Sequence, residues 1–180
     1  MDADAYTMNR RSFLIASGLV AASAVAGVSF RRAMMPAPDM AAIVAELQAM
    51  RLRPFSTLSG WSASKVFSHL AQSIELSMTG FPILKSPVFR QTAGTAAFFA
   101  FSTAGAMRHP LTEPIPGAPV IADDGDPKEA LEQLLAALQT FSDHDGELAP
   151  HFAYGTLSKD EYVQAHTLHI RDHLRLFVPA

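Results

Sequence analysis

The sequence predicts an all-α fold, organised as a four-helix bundle. Four segments carry apolar residues at helical spacing behind a residue that can cap a helix. In contrast, no segment alternates polar and apolar residues with the period of two that a half-buried strand shows. Residues 83–126, between the second and third segments, contain many prolines and predict the long crossover of such a bundle.

The first two predicted helices each follow a polar cap and stop at a residue that breaks helices. Helix one follows Asp39 and ends before Pro54, and helix two follows Ser62 and ends at Gly80. In the crossover, the Ala- and Phe-rich segment 92–101 predicts a further short helix.

The last two predicted helices open with stronger start signals. Asp126-Pro127-Lys128-Glu129 combines a capping Asp, a Pro at the first helical position and a Glu that can close a capping box. Ser158-Lys159-Asp160-Glu161 repeats this pattern, and apolar spacing extends the fourth helix to about Phe177. These signals complete the predicted bundle.

The N-terminal segment has the features of an export signal. Arg10-Arg11 directly precede the run Ser12–Phe30, which carries no charge and consists largely of small and weakly apolar residues. This pattern resembles a twin-arginine (Tat) signal. We therefore predict a signal sequence over residues 1–26, a linker over 27–38 and the helical bundle over 39–180.

Two outcomes of export are open. Cleavage at a small-residue triplet, Ala22-Ser23-Ala24 or Ala24-Val25-Ala26, would release the protein into the periplasm, whereas retention of the run would anchor it in the inner membrane. The run is less apolar than the roughly 20 strongly apolar residues of a committed membrane span, which favours cleavage. The twin-arginine route carries folded proteins, so a metal could be loaded before export.

Composition excludes several classes of partner and site. The formal net charge is −3, and the balance of charges gives no basic surface for nucleic acid. The chain has no Cys, so a metal must be held by His, Asp, Glu or backbone oxygen. We expect an unidentified small molecule as partner, membrane contact only through an uncleaved signal, and a second copy of the chain as a candidate partner.

The fourth predicted helix carries three histidines on one face. At 100° per residue, His166, His169 and His173 lie within about 40° of Tyr162. Arg171 falls on the opposite face, as expected if that face is exposed to solvent. The three imidazoles are therefore expected to point into the bundle.

These histidines indicate a metal site. His169 and His173 are four residues apart and can reach one ion, and His69, on the inner face of helix two, can supply a third ligand. Three imidazoles leave positions open for water, as in catalytic sites. The alternatives are a ligand pair of His166 with His169, or core histidines that only form hydrogen bonds.

Other side chains could support this site. The candidates to orient a metal ligand are His166, Tyr162 and Ser73, and His166 is also an alternative ligand. Asp172 could hydrogen-bond a ligand imidazole. No catalytic residue can be assigned. Three further histidines lie in predicted loops or helix ends and are expected at the surface: His109, His144 and His151.

Two motifs resemble those of a known superfamily. The first motif is Trp61-Ser62 followed by Val66-Phe67-Ser68-His69-Leu70-Ala71, and the second is His169-Ile170-Arg171-Asp172-His173-Leu174-Arg175-Leu176-Phe177. They resemble motifs of the DinB-like superfamily of metal-binding four-helix bundles. The resemblance covers residues 40–177 and is greatest to a bacterial branch known only as a domain of unknown function.

The resemblance implies a divalent metal, Zn, Ni or Mn, held by one His of helix two and two of helix four, here His69, His169 and His173. Related bundles include thiol-dependent transferases and isomerases that use mycothiol or bacillithiol, and others without an established activity. We expect an exported metal-dependent enzyme, a hydrolase or transferase, acting on a small molecule. The alternative is a non-catalytic bundle with a structural histidine core or a metal- or ligand-binding role.

Overall fold

The computed structural model describes residues 39–179, and this part of the chain is mostly helical. Its helices of ten residues or more are α1 (Met40–Met50), α2 (Ala63–Thr79), α3 (Thr95–Ala104), α4 (Pro127–Asp143) and α5 (Lys159–Leu174). A short helical turn, Pro87–Phe89, and a π-helical turn, Arg90–Gly94, lead directly into α3. Two short strands, β1 (Phe55–Thr57) and β2 (Phe177–Pro179), form an antiparallel pair.

The predicted helix starts are confirmed by their caps. The Asp39 carboxylate accepts a hydrogen bond from the backbone N–H of Ala42 at 2.9 Å. Asp126 caps α4 in the same way, and Ser158 and Glu161 form the predicted capping box at the start of α5. Each cap satisfies backbone N–H groups that have no partner within the helix.

The small sheet corrects two sequence predictions. The structure is mostly helical but not all-α, and the last helix ends at Leu174 rather than near Phe177. Beyond the helix, Phe177 stacks on Phe67 of α2 with ring centroids 5.0 Å apart, and its strand pairs with β1. Strands of three residues are too short to show a period of two in the sequence, which is why the pattern did not reveal them.

The core lies between α2, α4 and α5. Helix α2 packs on α4 and α5, α1 packs against the same two helices, and α3 packs on α5. Fully buried side chains from these elements fill the space between them: Ile43, Leu47, Phe67, Leu70, Leu134, Phe141 and Tyr162. The histidine-bearing faces of α2 and α5 are thereby turned toward each other at the site described below.

The segments proposed for export lie outside the described residues. The signal sequence predicted over residues 1–26 and the linker over 27–38 therefore stay predictions. Among residues 39–179, no helix combines the length and the apolar character needed to span a bilayer.

Candidate metal centre

Three imidazoles meet between α2 and α5. His69 comes from α2, and His169 and His173 come from successive turns of α5. One nitrogen from each ring lies within 4.8 Å of the corresponding nitrogens of the other two. The ring centroids of His69 are 5.2 Å from His169 and 5.3 Å from His173, and those of His169 and His173 are 4.9 Å apart. This cluster is large enough to hold one metal ion.

The local sequence explains why the rings converge. Positions 169 and 173 are one helical turn apart, so both side chains leave the same face of α5. His69 is only 4% exposed, and the Trp61 ring lies edge-on at a centroid distance of 5.2 Å. The exposed Arg171 occupies the outer face of α5, as the helical pattern predicts.

Two nitrogens of this cluster have no hydrogen-bond partner within residues 39–179. Among the described residues, His69 Nδ1 and His173 Nε2 are buried and neither donates nor accepts a hydrogen bond. Leaving a buried polar atom unpaired costs about 1–3 kcal/mol. A metal ion coordinated through these nitrogens would satisfy both, so the donor set fits a cation.

The electrostatics favour neutral rings. Burial, reinforced by nearby His109, lowers the pKa of His69 to about 4. Burial together with the neighbouring imidazoles lowers the pKa of His173 to about 3 and that of His169 well below its ordinary value. Neutral imidazole is the form that ligates a metal, so these rings need no deprotonation at pH 7.

His109 also reaches the cluster. It lies in the crossover, and its ring centroid is 4.9 Å from that of His169 and 5.3 Å from that of His173. Its Nδ1 lies 3.0 Å from Asp172 Oδ2. The expected surface placement is therefore wrong in part, because the His109 side chain is only 27% exposed.

Asp172 holds this arrangement from within α5. Its side chain is fully buried, and Oδ1 accepts hydrogen bonds from Arg108 at 2.9 Å and Arg175 at 2.7 Å. Burial alone would raise the pKa of Asp172, but the hydrogen bonds from Arg175 and Arg108 outweigh it and lower the pKa. Asp172 is therefore a carboxylate. The sequence makes Asp172 a candidate to hydrogen-bond a ligand imidazole, but its imidazole partner is His109, which lies 63 positions earlier with all of α4 in between.

A cavity of about 220 Å³ adjoins the three-histidine cluster. Its polar wall is formed by His69, Ser73, His109, His151, His166 and His169. Its apolar wall includes Met107, Ile115 and Phe152, and Lys85 and Glu113 contribute one charge of each sign. The cluster therefore borders a space in which a small molecule can bind.

The remaining predicted site residues occupy different positions. Ser73 is 6% exposed and lines the cavity one turn after His69. His166 Nε2 lies 3.2 Å from Ser77 Oγ, and His166 is outside the group of three converging histidines. The Tyr162 hydroxyl donates a hydrogen bond to the Ala149 carbonyl at 2.7 Å, so it points away from the cluster.

The last two histidines expected at the surface differ from each other. His144 is partly exposed at the end of α4. His151 is only 8% exposed, so its predicted surface position is wrong. It is buried because its ring stacks on Tyr154, with centroids 4.2 Å apart and planes inclined by 5°.

Comparison with known proteins identifies one family. A family model described as "Protein of unknown function (DUF1569)" matches residues 31–180. No curated protein and no solved structure gives a significant match.

Proposed function

The chain belongs to the DUF1569 family, and because that family has no known function, we propose one from the chemistry of the site itself. The protein binds one divalent metal ion through His69, His169 and His173. It acts as a metal-dependent enzyme, a hydrolase or transferase, on a small molecule held in the adjoining cavity. A DinB-like bundle is the architecture we propose for it.

One observation carries the proposal. Three histidine nitrogens from two helices converge within 4.8 Å, and two of these rings bear a buried nitrogen with no partner among the described residues. A purely structural histidine core would pair those nitrogens with donors or acceptors of the protein. Imidazole nitrogen is a preferred ligand of Zn²⁺ and Ni²⁺, and Mn²⁺ is a further candidate.

The chain's own residues suit a catalytic role. A bound metal would supply Lewis acidity and lower the pKa of a water molecule in an open position. His169 lines the cavity, which would give a substrate access to the metal, and the Trp61 ring packs edge-on against His69. Asp172 accepts a hydrogen bond from Nδ1–H of His109, which leaves His109 Nε2 free to accept a proton beside the cavity.

Metal titration tests this proposal. Protein prepared without a His tag and stripped with EDTA is titrated calorimetrically with Zn²⁺, Ni²⁺ and Mn²⁺, and we expect one ion per chain. His69→Ala should abolish this binding, and the matched variant His144→Ala should keep it. Loss of binding in both variants, or in neither, would contradict the assignment of the ligands.

We also propose that the protein works in the periplasm after twin-arginine export. The support is Arg10-Arg11 before an uncharged run with small-residue cleavage motifs. Replacing both arginines by lysine should keep the tagged full-length chain in the cytoplasm, whereas the unmodified chain should appear in the periplasm about 26 residues shorter. Full-length protein that stays in the membrane after a carbonate wash would instead support an inner-membrane anchor.

A further inference from the structure

The turn His151–Gly155 fixes the proton on one imidazole. The backbone N–H of His151 donates to the Gly155 carbonyl at 2.8 Å, and that of Gly155 donates back at 3.2 Å. Within the turn, His151 Nδ1 accepts hydrogen bonds from the N–H groups of Ala153 and Tyr154, both at 3.1 Å. A nitrogen that accepts carries no proton, so the proton of this neutral ring lies on Nε2.

The same turn is held rigidly from outside. Lys85 N–H donates to the Phe152 carbonyl at 2.9 Å. On the other side, the backbone of Gly94 approaches Ala153 so closely that a Cβ at position 94 would lie 1.9 Å from the Ala153 carbonyl oxygen. The imidazole of His151 is thus oriented before any ligand arrives, which reduces the entropy that binding would cost.

The Nε2–H of His151 makes no hydrogen bond to another described residue, and the residue is only 8% exposed. The ring lines the cavity beside the three-histidine cluster. Burial lowers the pKa of His151 to about 3, so the group is a neutral donor at pH 7. A donor that faces a cavity and has no protein partner is available to an acceptor on the ligand.

His166 gives the cavity wall the opposite polarity. The Ser77 hydroxyl donates its one proton to the Ile74 carbonyl at 2.6 Å, so His166 Nε2, at 3.2 Å, must donate to Ser77. The proton of this ring therefore lies on Nε2, and Nδ1 is an acceptor. In residues 39–179 nothing donates to that Nδ1, and the side chain is 3% exposed.

We infer that the cavity binds a small uncharged amide, whose carbonyl oxygen accepts a hydrogen bond from His151 Nε2–H. An amide is the class that fits, because its N–H can also satisfy the acceptor nitrogen of His166. The inference deepens the proposed function and rests on it, because the proposed function makes this cavity the substrate site. It names amides as the substrate class.

Size and charge of the cavity agree with this class. A protein cavity of about 150 Å³ holds benzene, so about 220 Å³ accommodates a ring or branched chain with one amide group. Met107, Ile115 and Phe152 offer apolar surface for the rest of the molecule. Both histidines are neutral, and Lys85 is offset by Glu113, so a charged ligand gains no net countercharge from this wall.

The test uses benzamide, with toluene and benzoate as probes that share its aromatic ring but lack the amide. The full chain, stripped of metal with EDTA, is titrated with each probe and followed by NMR of the histidine ring nitrogens. We expect His151 and His166 to show a proton on Nε2 before ligand is added. Benzamide should shift these resonances and bind about tenfold more tightly than toluene or benzoate, the effect of about one net hydrogen bond.

His151→Asn separates the two roles of this ring. Asn can still accept the N–H groups of the turn, but its side chain is shorter, so its N–H donor no longer reaches the ligand in the cavity. Affinity for benzamide should therefore fall about tenfold, while affinity for toluene is unchanged. His144→Asn is the matched control and should bind like the unmodified chain.

Equal affinity of the unmodified chain for all three probes, or a proton on Nδ1 of His151, would overturn the inference even if the variant fails to fold. Benzamide binding by a chain that takes up no metal would remove the proposed function and leave the amide site standing. Metal binding without preference for benzamide would do the reverse.

Discussion

Asp172 Oδ2 lies 3.0 Å from His109 Nδ1 and 3.3 Å from the backbone nitrogen of the same residue. One fully buried carboxylate of α5 thus fixes both the side chain and the main chain of a crossover residue. Because Asp172 immediately precedes His173, the crossover is tied to the helix at the level of the three-histidine cluster. The contact places the His109 ring beside His169, where no local sequence pattern would put it.

Replacing Asp172 by Asn should destabilise the fold. The amide has the shape of the carboxylate but cannot accept all the hydrogen bonds from Arg108, Arg175 and His109. We expect the free energy of unfolding of the metal-free protein to fall by about 1–3 kcal/mol, measured by urea denaturation at pH 7. The exposed Asp145→Asn should change it by less than about 0.5 kcal/mol. Equal stabilities of the two variants would contradict the structural role of Asp172.

Metal should raise thermal stability only when the cluster is intact. A ligand that binds the folded state alone adds RT ln(1 + [L]/Kd), about 2.7 kcal/mol at a hundredfold excess over Kd. The unmodified chain should therefore have a higher melting temperature with Zn²⁺ than with EDTA. His173→Ala should remove this difference, and His144→Ala should retain it. Identical melts with metal and with EDTA would favour a structural histidine core.

A methyl group at position 94 should destabilise the turn that carries His151. The Cβ of Gly94→Ala would lie 1.9 Å from the Ala153 carbonyl oxygen, and a backbone atom cannot move aside as a flexible side chain can. We expect a loss of about 1–3 kcal/mol, seen as a lower midpoint of thermal unfolding. Gly125→Ala is the control, because its Cβ would meet Ser64 at an ordinary 3.4 Å. An unchanged melting temperature for Gly94→Ala would contradict the close contact between Gly94 and Ala153.

The sequence predicts those features that depend on neighbours along the chain. Asp39, Asp126 and Ser158 cap their helices as expected, because a cap uses an N–H only two or three residues away. Helical periodicity also placed His169 and His173 on one inner face. These parts of the site follow from local chemistry.

Contacts between distant segments were not predictable in this way. The carboxylate that orients His109 lies in α5, and the partners of β1 lie at the other end of the described chain. His151 was expected at the surface because nothing in the neighbouring sequence shows that the distant Gly94 packs against its turn. The periodic pattern of a helix carries no information about which loop packs against it.

Acid should destabilise the metal-free protein through its buried histidines. Burial lowers the pKa of His166 to about 3, whereas an unfolded histidine titrates near 6.5. Above about pH 6.5 both states are neutral, and this group contributes no pH dependence. Below that, the unfolded state binds a proton that the folded state does not, so stability falls as the pH drops toward 3, by up to about 1.4 kcal/mol per pH unit for one such group.

His166→Phe should therefore make the acid limb of the stability profile less steep. The ring would keep its contacts with Phe141 and Tyr162, and Ser77 would keep the Ile74 carbonyl as acceptor, so the variant has a means of folding. Urea denaturation between pH 7 and pH 4 in EDTA should show a slope smaller by about one proton per molecule. His144→Phe, at the partly exposed end of α4, should leave the slope nearly unchanged. If both variants and the unmodified chain lose stability in parallel, groups other than His166 control the acid sensitivity.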